Sequence, residues 1–422
     1  MSTANATNGL GQHATVRVVL IAAAAALGGF LFGFDTAVIN GAVEAIHLGF
    51  RLSAVLTGFA VSCALLGSAL GAWYAGLLAD RLGRVPTMQV AAVLLVASAL
   101  GSGLAPGVWE LIVWRLVGGI GVGVASVIAP TYIAEVSPAQ VRGRLGSMQQ
   151  LAIVLGIFTA LLSDAWLAGA AGGASHSWWF GLAAWRWMFL MAAIPALIYG
   201  SLVLAVPESP RYLVAKSRLA EARVVLRQVL DMHSDSALDQ KLHDIADSLR
   251  SEHRPRLRDL RGACAGLLPV VWIGILLSVF QQFVGINVIF YYSSTLWHSV
   301  GFSEADSFKI TVATSVVNVL VTLVAIALVD KIGRKPLLVI GSAGMAVTLA
   351  MMAWCFSQAT GSGATLSLPG SLGIIALVAA NAYVVFFGVS WGPVVWVLLG
   401  EMFPNRIRAT ALAVAAAAQW LA

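Results

Sequence analysis

Eleven runs of roughly twenty apolar residues follow one another along this 422-residue chain. Each is about the length a helix needs to cross ~30 Å of hydrocarbon. They fall at 16–39, 54–78, 87–105, 108–132, 146–165, 185–206, 265–290, 308–329, 336–357, 372–399 and 407–422. The fold they predict is an all-α polytopic membrane protein. Composition agrees: 59% of residues are hydrophobic and 10% charged, with a mean hydropathy of +0.88. A soluble domain carries about 25% charged residues, and none of this length could hide so much apolar surface. A soluble enzyme, a nucleic-acid-binding module and a disordered chain are therefore excluded. The run from Val16 is too long for a signal-peptide core and contains Asp35, so it reads as a retained first span. Cys63, Cys264 and Cys355 lie far apart with no CxxC pair, and read as small core residues.

The net charge of +6 is distributed by side. Of the 25 basic residues, 20 lie in one set of loops: Arg81 and Arg84, Arg142 and Arg144, eleven between 207 and 262, Lys331 with Arg334 and Lys335, and Arg406 with Arg408. The opposite set has Arg51 and Lys309, with Arg186 at a span edge. Loops rich in Lys and Arg face the cytoplasm, so the expected topology is a multi-pass inner-membrane protein with its N-terminus inside. The basic balance then reflects the lipid bilayer and no nucleic-acid partner.

The polar stretch 207–262 divides the runs into six before it and five after. Its apolar residues Leu219, Val224, Leu226 and Leu230 predict amphipathic helices against the cytoplasmic face. Two motifs recur in order on either side. Asp80-Arg-Leu-Gly-Arg84 follows the second run, and Asp330-Lys-Ile-Gly-Arg334 follows the eighth, 250 residues later. Glu135-Val-Ser-Pro138 and Glu401-Met-Phe-Pro404 follow the fourth and tenth runs, each with an arginine seven residues beyond the glutamate, Arg142 and Arg408. The chain thus reads as a duplicated six-span unit: an N-terminal bundle over 1–206, the cytoplasmic segment 207–262, and a C-terminal bundle over 263–422. Duplication predicts a twelfth span, while the sequence ends within the eleventh.

Further motifs join these: Pro207-Glu208-Ser209-Pro210-Arg211, then Gln281-Gln282-Phe-Val-Gly285-Ile-Asn287, then Trp391-Gly392-Pro393-Val-Val-Trp396. Together and in this order they resemble the sugar porter family of the major facilitator superfamily over nearly the whole chain. Departures are local: Val85 stands where the first loop motif often has a basic residue, and Ile326 where the second copy would have glycine. The resemblance implies two pseudo-symmetric six-helix halves and monosaccharide transport by alternating access, without a cofactor and by a monomer.

Two charges are read inside spans, Asp35 and Arg115. An ionisable group at mid-membrane costs about 2.5–3.5 kcal/mol on insertion scales, so such groups usually pair. A static pair would fix helix packing. A proton switch is the functional alternative, because burial favours the neutral carboxyl and a nearby guanidinium favours the charged one. If the two approach in one conformation and part in the other, proton affinity alternates with access. The resemblance favours the switch, since an Asp at this position is typical of the family's proton symporters and an Asn of its passive facilitators.

A sugar presents hydroxyls that donate and accept, and amides answer both without charge. By family match the expected sugar ligands are Gln150, Gln281, Gln282, Asn287, Asn318 and Gln419, with Gly392 and Trp396 beside them. Amides in spans also serve as interhelical glue. On an ideal helix Gln281, Gln282 and Asn287 would not share one stripe, so local unwinding at Gly285 is expected to make them converge. Trp396 offers a flat apolar face for a pyranose ring. Gly392-Pro393 would interrupt its helix, as a gate or as a static kink.

Asp80, Arg84, Glu135, Arg142, Glu208, Arg211, Asp330, Arg334, Glu401 and Arg408 sit at cytoplasmic helix ends. The resemblance implies ion-pair networks there that latch the outward-open state. The string Gly118-Gly-Ile-Gly121-Val-Gly123 lies inside an apolar run and has no strand before it, so it reads as close helix packing and not as a phosphate loop. No catalytic His, Ser-His-Asp or metal pattern is present in the sequence, and the chain reads as a non-enzyme. Proton-coupled monosaccharide uptake is the expected function. A passive facilitator or a transporter-like sugar sensor are the alternatives.

Overall fold

The computed structural model describes residues 12–138, 141–230, 234–251, 257–262, 265–360, 368–404 and 407–422. Cys264, and the side chains of Arg142, Asp330 and Arg408, lie outside the described set. The N-terminal half is built from α1 (Gln12–Ala37), α2 (Ile39–Gly49), α3 (Ala54–Leu82), α4 (Arg84–Leu104), α5 (Val108–Val136), α6 (Arg142–Ala171), α7 (Ala184–Met191) and α8 (Ala193–Ala205). Three short helices follow, α9 (Pro210–Ala215), α10 (Leu219–Leu230) and α11 (Asp235–Ser251). The C-terminal half holds α12 (Pro269–Phe283), α13 (Ile286–Tyr291), α14 (Ser293–Ser299), α15 (Glu304–Ile332), α16 (Arg334–Ser357), α17 (Leu372–Val389), α18 (Trp391–Met402) and α19 (Arg408–Leu421). No strand is formed among the described residues, only one isolated bridge between Ser177 and Ala183.

Among the described residues, ten stretches are long and apolar enough to cross a membrane, and Thr410–Leu421 is a shorter apolar helix. The first runs from Val16 to Gly49, ten residues past the expected end, because α2 continues α1 after a single break at Val38. Large apolar side chains such as Val93, Leu204 and Val339 point outward. A surface of that kind is what lipid, not water, would cover.

Helix ends explain why the repeated loop motif needs its glycine. Asp80 and Arg81 lie in the last turn of α3, and Gly83 alone joins α3 to α4 at φ 110°. Gly333 makes the same one-residue link from α15 to α16 at φ 92°. Only glycine adopts such angles without a Cβ clash. The motif is therefore a tight turn with charges on both flanks.

The glycine string of α5 packs against α3, as the sequence reading expected. A Cβ on Gly119 would lie 2.0 Å from the Ala64 carbonyl oxygen, and one on Gly123 would lie 2.1 Å from that of Ser68. In α10 the buried stripe is Ala222, Val225, Leu226 and Val229, at spacings of three, one and three. Leu226 is buried as expected, Leu219 and Val224 face away, which corrects the expected stripe, and the side chain of Leu230 lies outside the described set. The expected set advanced by five, two and four residues, and that rotation does not keep one helical face. This stripe joins Tyr132, Leu145 and Tyr212 in a core under the N-terminal half.

One apolar core spans both halves. It joins Phe34, Ile39 and Ile46 of α1–α2 to Phe290 and Trp297 of α13–α14, and to Tyr383 of α17. A separate core holds the basic end of the C-terminal half together, with Leu399, Phe403 and Ala411. Cys63 and Cys355 are buried free thiols.

Candidate functional site

Asp35 and Arg115 meet in the interior of the N-terminal half. Arg115 Nη1 lies 3.3 Å from Asp35 Oδ2 and donates to the Asp35 carbonyl oxygen at 3.1 Å. The arginine is 2% exposed and Asp35 9%, so the pair is desolvated. The guanidinium carbon sits 5.6 Å from the centre of the Phe189 ring, and Arg115 Nε has no partner among the described residues. A single side-chain contact at 3.3 Å is looser than a forked Arg–carboxylate pair. The charges compensate each other without being fully locked.

The residue after Asp35, Thr36, lines a cavity of about 110 Å³ between the two halves. Amides close it from the C-terminal side: Gln282, Asn287 and Gln419. Gln282 and Asn287 converge, two of the three amides that the broken-helix reading expected together. Gly285 takes φ 91° between α12 and α13, and Asn287 Nδ2 donates to Gln282 Oε1 at 2.6 Å. Gln419 Oε1 is buried and has no hydrogen-bond partner among the described residues. The remaining wall is apolar and aromatic, with Phe32, Phe290, Tyr291 and Trp420 among its residues. Such a mixture of few polar groups on an apolar lining suits a small amphipathic ligand.

The other expected ligands stand elsewhere. Gln281 donates from Nε2 to the Trp391 and Gly392 carbonyl oxygens, at 2.8 and 3.3 Å, while its Oε1 is unpartnered. It ties α12 to α18 and fixes where the latter begins. Gln150 is half-buried one turn before Ile153, which lines the cavity. Asn318 is buried on α15 against Gly388 of α17. Trp396 is 39% exposed and outside the cavity lining. Flat aromatic surface comes instead from Tyr291 and Trp420, which the sequence reading missed. Their signal was adjacency: Trp420 follows Gln419, and Tyr291 lies one turn after Asn287.

At the basic face the charges assemble within each half. Arg84 forks onto Glu135, with Nη2–Oε1 at 2.8 Å and Nε–Oε2 at 2.9 Å, and its Nη1 lies 3.5 Å from Asp80. Glu208 accepts from the backbone N–H groups of Arg84 and Val85, capping α4. In the second half Arg334 Nη2 lies 2.9 Å from Glu401 Oε1. The two pairs differ in burial: 11% and 10% exposed side chains for Arg84 and Glu135, against 26% and 52% for Arg334 and Glu401. Breaking a buried pair costs about 3–5 kcal/mol, an exposed one about 0–1 kcal/mol. Arg84→Ala is expected to lower the thermal unfolding midpoint in detergent by many degrees, and Arg334→Ala by few. Equal shifts would show that burial does not set the value of these pairs.

Hydrogen bonds join the two halves at the opposite face. Asn40 Nδ2 donates to the Phe290 carbonyl oxygen at 2.9 Å, and Ser294 Oγ to that of Asn40 at 2.8 Å. His298 Nδ1 lies 3.1 Å from both carboxylate oxygens of Glu44. The Ala174 N–H donates to Glu304 Oε1 at 2.8 Å. In this conformation the opposite face is fastened.

A further span carboxyl, Asp164 of α6, also escaped the sequence reading. It is fully buried, and neither oxygen has a side-chain hydrogen-bond partner among the described residues; the Gly41 backbone N–H faces it. No motif surrounds it, but its charge inside an apolar run was a visible signal. No group of three or more metal-ligating side chains occurs among the described residues.

The family description "Sugar (and other) transporter" matches residues 21–422. The chain is 59% identical to a glucose transport protein of Synechocystis over 406 residues, covering 96% of this chain and 86% of that protein. It is 38% identical to the D-xylose-proton symporter of Escherichia coli, covering 97% and 84%. Its fold is similar to a partially occluded inward-open conformation of the E. coli xylose transporter XylE, with a TM-score of 0.81 at 36% identity, covering 96% and 89%. These relatives are transporters and not enzymes. The chain is a multi-pass membrane protein and belongs to the sugar porter family of the major facilitator superfamily.

Proposed function

We propose that this protein takes up a monosaccharide, hexose or pentose, in symport with protons by alternating access. One observation carries the reading: the desolvated Asp35–Arg115 pair abuts the amide-lined cavity through Thr36. A sugar held by Gln282, Asn287 and Gln419 would touch the helix that carries the proton-binding carboxyl. Loading either site then changes the packing of α1, which is how a ligand and a proton come to share one conformational equilibrium. Gln150, Gln281, Asn318, Gly392 and Trp396 complete the site in other conformations of the cycle.

The basic face is cytoplasmic in this reading, the N-terminus lies inside, and the membrane is the inner one. The working unit is a monomer with halves at 1–206 and 263–422 joined by the segment 207–262. Fastening at the opposite face then describes an outside-closed state. The charge clusters of Asp80, Arg84, Glu135, Arg142, Glu208 and Arg211, and of Asp330, Arg334, Glu401 and Arg408, brace the cytoplasmic helix ends and engage across the halves when the inside closes. Relatives support both parts of the proposal, since one is named for glucose transport and another for xylose-proton symport.

Uptake of labelled glucose, xylose, galactose and arabinose into energised vesicles tests it. Accumulation above the outside concentration that collapses with a protonophore is expected for at least one sugar. Equilibration indifferent to the protonophore would make the protein a facilitator. At the site itself, Asn287→Ala removes a ligand and leaves Gln282 Oε1 unpartnered. A sugar Kd weaker by about tenfold or more is expected, read by binding to purified protein. Unchanged affinity would remove this pair from the site.

A further inference from the structure

α2 is the half-helix that fastens the outer face, through Asn40 and Glu44. On its other side, Gly41 packs directly on Asp164 of α6. A Cβ built on Gly41 would lie 2.9 Å from both Asp164 Cβ and Cγ, and 2.7 Å from Met188 Sδ. Gly41 also lines a second cavity, of about 100 Å³, with Glu44, Ser294, His298 and Glu304. Asp164 therefore lies one residue's thickness behind the outer fastening, sealed by α2.

Among the described residues, an ionised carboxylate in that seat would have no cation beside it and, as donor, the Gly41 backbone N–H alone. The charged groups on the surrounding elements are engaged elsewhere. Asp35 and Arg115 pair with each other, and Arg186 of α7 donates to the Gly103 and Ala105 carbonyl oxygens. Glu44 meets His298, His47 bonds Thr57, Glu304 accepts from Ala174, and Lys309 pairs with Asp306. Burying an unpaired charge costs several kcal/mol, so α2 seats on the neutral acid. When α2 swings out, Asp164 meets water and can release its proton.

We propose that Asp164 is a proton-dependent seat for the outer gate: closing the gate over it takes up one proton from the outside, and opening releases it. Asp164 is a positioning residue, acting on the sugar site through α2. The sign follows from linkage. The closed state binds the proton more tightly, so low outside pH favours closure and rising pH favours opening, by at most about tenfold per pH unit for one proton. The proposal rests on alternating access with the basic face inside, and not on Asp35 as the coupling group.

The experiment uses the full chain with Cys63, Cys264 and Cys355 changed to Ala and with Ala45→Cys added, since Ala45 lines the second cavity. A membrane-impermeant maleimide is applied to right-side-out and to inverted vesicles at pH 5.5 to 8. Rates are divided by those of Phe180→Cys, an exposed loop position, which removes the pH dependence of thiol chemistry. Each measurement is repeated with Asp35→Asn, so that the coupling pair does not contribute. Labelling at position 45 is expected to rise severalfold with outside pH, and adding Asp164→Asn is expected to make it slow and flat. Gly41→Ala, which prevents seating, is expected to label fast at every pH, and tests the proposal even if Asp164→Asn does not reach the membrane. A parent profile retained in Asp164→Asn, or in Gly41→Ala, overturns the proposal. So does a profile that His298→Ala alone abolishes, which would assign the pH response to the His298–Glu44 contact. Labelling only from inverted vesicles would instead refute the orientation.

Discussion

Asp35→Asn is expected to let sugar equilibrate across the membrane while abolishing its accumulation against a gradient. The amide keeps the shape of the carboxyl and can still accept from Arg115, whose second contact is to the backbone of residue 35. What it cannot do is gain and lose a proton. If proton binding biases the conformational cycle, removing it leaves exchange between sugar-loaded states intact and disconnects that exchange from the proton gradient. Energised uptake should fall to the equilibrium level, and counterflow of labelled against unlabelled sugar should persist. Stability should fall as well, because Arg115 remains buried as an uncompensated charge, with a cost bounded by the about 3–5 kcal/mol of breaking a buried pair. Uphill accumulation surviving in Asp35→Asn would reduce the pair to a packing element.

The second large effect concerns packing. Gly119→Ala places a methyl 2.0 Å from the Ala64 carbonyl oxygen and 3.0 Å from the Gly67 Cα. Both neighbours are backbone, so no side chain can rotate away and α3 must separate from α5. Overpacking costs typically 1–3 kcal/mol, and this geometry belongs at or above about 3 kcal/mol. Gly58→Ala is the matched control on α3, where an added Cβ meets nothing within 4 Å. There the gain in helix propensity, up to about 1 kcal/mol, should slightly stabilise the protein. Unfolding midpoints in detergent should move in opposite directions. A Gly119→Ala midpoint equal to the parent's would show that the α3–α5 contact is loose.

Much of this architecture follows from local chemistry. A run of about twenty apolar residues needs no partner to declare itself a span, since hydrocarbon thickness sets its length. The repeated Gly83 and Gly333 were legible for the same reason: a one-residue reversal between helices needs an angle only glycine adopts easily. The break at Gly285 was legible beside Gln282 and Asn287, because on an unbroken helix these amides would not share one stripe. The Asp35–Arg115 pairing was legible because each charge alone would be costly in a membrane.

The tertiary structure decided what depends on neighbours from distant parts of the chain. Nothing local to Gln281 says that its donors go to the Trp391 and Gly392 carbonyls, 110 residues on. Nothing local to Trp396 says that Tyr291 and Trp420 line the cavity while it stands outside. The same holds for Asp164, whose isolation is set by Gly41 and Met188. It holds too for which face of α10 packs, since a helix with apolar residues on more than one face leaves that choice to its docking surface. By itself the sequence determined the spans, their breaks and the charges that must be compensated, because hydrocarbon and backbone geometry act on each segment separately. Only the tertiary structure decided which amides line the cavity, which tie helices together, and which carboxyl is sealed beneath α2, because burial is a property of the assembled neighbours.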